Sequence, residues 1–156
     1  MIKSKTEKID EFELREFFPY LVRVFYSEVT SAISSTYVTK HDLSPAEWRT
    51  IAIIGKGSSL TANEIVEQSS MDKVSISRAV TRLNTKGLID FKTNVEDGRS
   101  KLLTLSLKGE TIYHEIVRDV LDVEQKLLSN IDDKEKQGFL KTMQKICDNK
   151  TQYFPE

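Results

Sequence analysis

Residues 61–106 punctuate themselves so closely that few folds can accommodate them. Thr61-Ala62-Asn63-Glu64 is a capping box, in which a Thr hydroxyl and a Glu carboxylate three residues on satisfy orphan N–H groups. It predicts a short helix over 62–68 with Ala62, Ile65 and Val66 inward. Ser69-Ser70-Met71 breaks the pattern, Asp72 caps a second helix running to about 86, and Gly87 stops it. Two strand-like runs follow, 88–95 and 101–106, around the turn Glu96-Asp97-Gly98-Arg99. Asp-Gly between such runs is a strong hairpin signal. Two short helices joined by a tight turn and followed by a hairpin make a winged helix-turn-helix, with the hairpin as wing.

The flanking segments are helical. Ser44 at the N-cap, Pro45 at the first helical position and Glu47 closing a box predict a helix over 45–56, with Leu43 stapled against Trp48. A longer helix is expected over 9–38, where Pro19 either kinks it or begins a new segment. It carries two apolar stripes: Leu14, Phe17, Phe18, Leu21, Val24, Phe25 and Ala32 on one, Val22, Tyr26, Ile33 and Tyr37 on the other. Two stripes imply two packing partners, more than one small domain supplies, and therefore a homodimer. Helices over 107–130, capped by Ser106 and with a spine of Ile112, Ile116, Val120 and Leu127, and after Asp132, with Phe139, Leu140, Met143, Ile146 and Cys147 on one face, complete the chain. The expectation is one mainly α domain over 1–156. It has a winged helix-turn-helix with a two-stranded β wing at 44–106 and dimerisation helices at 9–38 and 107–154.

With 38% hydrophobic residues and 30% charged, the 156-residue chain has the material for a core. The polar start, the absence of a long apolar run and the single Cys147 point to a cytoplasmic protein without membrane contact or disulfide. Net charge is -1, yet residues 71–101 hold seven basic and four acidic side chains, so positive potential is concentrated in the segment that folds as helix-turn-helix and wing.

On a helical wheel Ile76, Ala79, Val80 and Leu83 fall on the inner side of the second helix. Lys73, Val74, Ser75, Ser77, Arg78, Thr81 and Arg82 fall on the outer side or its margins. That face suits a major groove: Arg bonds guanine edges, Ser and Thr bond bases or phosphates, and Val meets thymine methyls. Arg99 at the wing tip suits the minor groove, with Asp97 bracing its guanidinium. The expected partner is double-stranded DNA. The alternative is a winged-helix protein-interaction module without sequence-specific DNA binding, against which the outward Arg and Ser face argues. Enzymatic chemistry finds little material. His114-Glu115 has Arg118 where a zinc-protease pattern needs a second His, Gly55-Lys56-Gly57 ends a helix instead of joining a strand to one, and there are two His and no Cys pair. No catalytic residue, metal or cofactor is expected.

Asp42-Leu43-Ser44-Pro45-Ala46-Glu47-Trp48, Met71-Asp72-Lys73-Val74-Ser75-Ile76-Ser77-Arg78, Leu83 with Gly87-Leu88-Ile89, and Asp97-Gly98-Arg99-Ser100 with Leu103-Thr104-Leu105 resemble the multiple-antibiotic-resistance regulator (MarR) family of transcription regulators. The resemblance implies a triangular dimer built from the first and last helices, recognition helices in successive major grooves, and wings in minor grooves. It implies regulation by a small, often phenolic or carboxylic, ligand or by thiol oxidation. The expectation is a ligand-responsive repressor on a pseudo-palindromic operator with a small aromatic or carboxylate effector, although residue types do not separate repression from activation. It also matches Arg78, Arg99 and Asp97 to the family's DNA-contacting positions. Effectors in the family bind about where Trp48, Arg49 and His41 should meet, with Phe17 or Phe18 opposite. Oxidation-sensing members carry a reactive Cys near the N-terminus, which this chain lacks; Cys147, on an apolar face, is expected to be buried and inert.

Overall fold

The computed structural model describes residues 12–55, 57–94 and 100–153, with side chains described to residue 149. A 3-10 turn, Leu14–Glu16, precedes helices α1 (Phe18–His41), α2 (Pro45–Ile54), α3 (Ala62–Ser69) and α4 (Lys73–Thr85). Strands β1 (Ile89–Thr93) and β2 (Lys101–Leu105) follow, then helices α5 (Leu107–Leu127) and α6 (Asp133–Tyr153). The strands pair antiparallel with Phe91 opposite Leu103, and Leu60 adds a single bridge to Leu103.

The capping signals act where they stand. Ser44 and Thr61 each accept from the backbone N–H of the residue three on, and Glu47 and Glu64 reciprocate. Asp132 and Glu135 form the same reciprocal pair at the start of α6. Ser106 accepts from the Gly109 N–H at the start of α5. Gly87, at φ +68, takes the left-handed conformation that ends α4.

Several boundaries differ from expectation. The first long helix spans Phe18–His41, beginning later and running further than the expected 9–38. Pro19 lies in its first turn, where a missing N–H is harmless, so it starts a helix and does not kink one. α2 ends at Ile54, because Gly55 caps it. α5 ends at Leu127, short of 130. Ala62 is exposed, because it occupies the first turn of α3, ahead of the point where Ile65 meets the core. The tip of the expected hairpin, 95–99, lies outside the described residues.

The chain forms two compact units, unit 1 within residues 1–120 and unit 2 within residues 121–156. Unit 1 holds the core: Tyr37 from α1, Leu43, Ile51 and Ile54 around α2, Ile65, Ile76 and Leu83 from α3 and α4, Leu88, Ile89 and Leu103 at the wing root, and Ile116 from α5. α2 packs on α3 and α4, and α3 on α4. Two close approaches set the start of α5. A Cβ at Gly109 would lie 2.0 Å from the Leu88 carbonyl oxygen, and one at Gly55 would lie 2.4 Å from the Tyr113 ring. In α1 the two apolar stripes are buried only near its C-terminal half; Phe17, Phe18, Leu21, Val22, Phe25 and Tyr26 are exposed. In unit 2, Phe139, Leu140, Met143 and Ile146 are exposed along α6. Cys147 is exposed beside them and not buried as expected, since that face has no cover within the described unit. No described helix is long and apolar enough to cross a membrane.

Candidate nucleic-acid interface

α4 is seated by Ile76, Ala79 and Leu83, all buried. Its opposite side presents Lys73, Val74, Ser77, Arg78, Thr81 and Arg82 to solvent. Val74, Arg78 and Arg82 are four residues apart and form one row. Val74, a branched apolar side chain, is 58% exposed, an arrangement with no folding benefit. Lys73, Arg78 and Arg82 make no ion pair with another described residue, so their charges are available.

Two expected readers are partly committed elsewhere. Ser75 is half-buried; its N–H donates to Asp72 Oδ1 at 2.9 Å and its hydroxyl to Asp72 Oδ2 at 2.6 Å. The Ser75 hydroxyl and amide hold the Asp72 carboxyl below its ordinary range. Ser75 therefore serves the cap first. Thr81 donates its hydroxyl to the Ser77 carbonyl at 3.0 Å, leaving a methyl and a lone pair facing outward. Ser77 makes no such commitment among the described residues.

At the wing root Asn94 Nδ2 donates to Ser100 Oγ at 2.9 Å, and the Lys101 ammonium lies 5.5 Å from the Phe91 ring centroid. Asp97 and Arg99 lie outside the described residues.

The five residues expected around an effector do not converge. α1 is 24 residues long, which places Phe17 and Phe18 about 35 Å from His41 along its axis. Within one chain, a helix of this length keeps Phe17 and Phe18 apart from His41. The other three lie near one another on α1 and α2. Trp48 stacks between Tyr37, at 6.0 Å, and Tyr113, at 6.4 Å. Arg49 donates to the Ser69 carbonyl at 3.2 Å. His41 Nε2 is buried, 3.9 Å from a Glu115 oxygen and without a hydrogen bond among the described residues. Burial pushes the Tyr37 hydroxyl above its ordinary value, against the opposing pull of the Arg49 charge.

A cavity of about 520 Å³ lies elsewhere, between the end of α2, the wing root and the first turns of α5. Asp90, Lys92, Thr104, Glu110, Tyr113 and His114 line it, and none of the five expected residues does. Sequence reading missed it because its walls come from three separated segments without a shared motif. No group of three or more His, Cys, Asp or Glu suited to a metal occurs among the described residues.

A capped helix-turn-helix, a hairpin continuing from it and an exposed cationic row on the second helix define a winged helix-turn-helix of the kind found in transcription regulators. The chain matches, over residues 41–100, the sequence profile described as the MarR family. It is 26% identical over 136 residues to an uncharacterised HTH-type transcriptional regulator of Staphylococcus aureus, covering 85% of this chain and 90% of the relative. Among solved structures it shares its fold with a mutant MarR of E. coli complexed with operator DNA, at TM-score 0.76 and 22% identity, over 86% of this chain and 98% of that one. It also shares it with Bordetella bronchiseptica BpsR, whose DNA binding is regulated by 6-hydroxynicotinic acid, at TM-score 0.79 and 18% identity, over 88% of this chain and 97% of that one. The family and these relatives are transcription regulators, not enzymes.

Proposed function

We propose that the protein is a sequence-specific, double-stranded-DNA-binding repressor that acts as a homodimer on a pseudo-palindromic operator and is relieved by a small effector. The observation that carries this reading is the exposed row Val74, Arg78 and Arg82 on a helix whose other side is seated in the core by Ile76, Ala79 and Leu83. Arg78 reads a base edge in the major groove, Lys73 and Arg82 meet phosphates, and Ser77 and Thr81 add polar contacts. Ser75 shapes the helix start, and Arg99, braced by Asp97, reaches the minor groove. Dimerisation falls to the exposed faces of α1 and α6 together with α5, on the single-domain organisation expected from the sequence. Effector response is supported by the cavity beside α5 and by its continuity, through Tyr113, with the Trp48 stack.

The test is a titration of parent, Arg78→Ala and Arg99→Ala on a selected operator and a scrambled duplex at several salt concentrations. A bidentate base contact carries about 1–3 kcal/mol of discrimination, whereas phosphate contacts carry salt dependence. Arg78→Ala is expected to narrow the gap between operator and scrambled DNA; Arg99→Ala is expected to weaken both. Parent protein that enriches no sequence from a random duplex library defeats the reading.

A further inference from the structure

The recognition helix α4 is bonded very differently at its two ends. At its start the bonds are local, from Ser75 to Asp72. At its end, Lys86 extends across the fold to the junction of α1 and α2. Its ammonium hydrogen-bonds the Asp42 carbonyl oxygen, lies 3.4 Å from the Asp42 carboxylate and pairs with Glu47 Oε1 at 3.2 Å. Asp42 is the left-handed residue that ends α1, at φ 52. Glu47 is 1% exposed, and its other oxygen accepts the Ser44 N–H that starts α2, at 2.7 Å. Burial alone would raise the Glu47 carboxyl, yet the Ser44 and Lys86 bonds outweigh it and hold the group below its ordinary range.

The same end of α4 is tied to α5. Lys108 Nζ donates to the Lys86 carbonyl at 2.9 Å, and Ser106 Oγ donates to the Gly87 carbonyl at 2.7 Å. The apolar seat of α4 sets its depth but, being non-directional, tolerates tilting. The hydrogen bond from Lys86 to the Asp42 carbonyl, with the ion pairs to Asp42 and the buried Glu47 beside it, restrains the tilt. The 13 residues of α4 span about 20 Å, so a tilt of about 10° about the Lys86 end displaces the reading end by about 3.4 Å, one base-pair step.

We infer that Lys86 is a positioning residue that locks the tilt of the recognition helix to the junction of α1 and α2, and thereby makes half-site spacing part of what the protein recognises. The inference rests on the reading of the protein as a dimer on two half-sites. Lys86 touches no base in this scheme; it acts through Asp42 and Glu47.

The experiment uses full-length parent, Lys86→Met, and the double variant Lys86→Met with Glu47→Gln. The double variant keeps an amide oxygen for the Ser44 N–H and leaves no buried charge unpaired, which protects the fold. Duplexes carry two copies of the half-site that the parent selects from a random library, with one or two base pairs inserted or removed between them. Circular dichroism establishes that each variant is folded. The parent is expected to prefer its own spacing by about tenfold or more over a one-base-pair change, and the folded variants to fall within about threefold. Their ranking of single-base changes within a half-site should match the parent's. A role in stability alone would weaken every spacing equally and leave the preference intact; that result in the folded double variant overturns the inference. Parent protein that selects a half-site but is indifferent to spacing also overturns it, while leaving the DNA-binding reading in place. Parent protein that selects no half-site defeats that reading instead.

Discussion

The winged-helix core and the outer helices of this chain solve opposite problems with the same kinds of residue. In the core, Ile51, Ile65, Ile76, Leu83 and Ile116 are completely buried, and the capping groups of α2, α3 and α4 are satisfied by the chain itself. In α1 and α6, Phe17, Phe18, Phe25, Phe139, Leu140 and Met143 are of similar size and equally apolar, yet each is 45% exposed or more. The core is a finished object. The outer faces have no such cover among the described residues, and apolar faces of that extent mark a place where another surface docks. In the proposed regulator this separates reading from docking: the core shapes each reader, and the docking faces join two readers on DNA.

The largest expected effect breaks the outer faces. Leu140→Lys with Met143→Lys places two charges in the proposed dimer surface. Sedimentation at micromolar concentration should give about 17.9 kDa, against twice that for the parent, and operator affinity should fall by an order of magnitude or more. A folded double variant that still sediments as a dimer removes α6 from the interface. Next in size, Leu83→Ala opens a cavity under α4 and is expected to cost about 2–5 kcal/mol of stability in urea melts. The contrasting Leu121→Ala, at a site 55% exposed, should cost far less within a single chain.

Glu47→Gln is smaller at neutral pH, about 1–3 kcal/mol, because it removes one partner of a charged pair and keeps the cap. Its sharper signature lies in acid. The folded Glu47 carboxyl is depressed, so its stabilising contribution is complete above the ordinary glutamate range and is lost as pH falls through that range toward the folded value. Melts at successive pH values should show a shallower acid limb in Glu47→Gln than in the parent; identical limbs would mean that Glu47 carries no such linkage. Thr61→Ala, which removes the hydroxyl half of the α3 capping box, is expected to cost about 1 kcal/mol, read as a small drop in melting temperature without loss of DNA preference.

The elements whose ends depend on neighbours in sequence were legible there. Ser44 with Glu47, Thr61 with Glu64, Asp72, Gly87 and Ser106 act within three residues of themselves, and each marks an element boundary in the structure to within a residue. The inner and outer sides of α4 were legible for the same reason, since a helix's own periodicity assigns them. Tertiary structure decided what depends on distance through space. The 24-residue α1 puts Phe17 and His41 at its opposite ends, so residues that their types alone grouped stand apart within one chain. Three remote segments meet to form the cavity beside Tyr113. Lys86 looks like one more basic residue at a helix end, the place where the helix dipole favours a cation. Only folding brings it to Glu47, 39 positions earlier in the chain, where the low exposure of that carboxylate turns a common surface charge into the pin of the recognition helix.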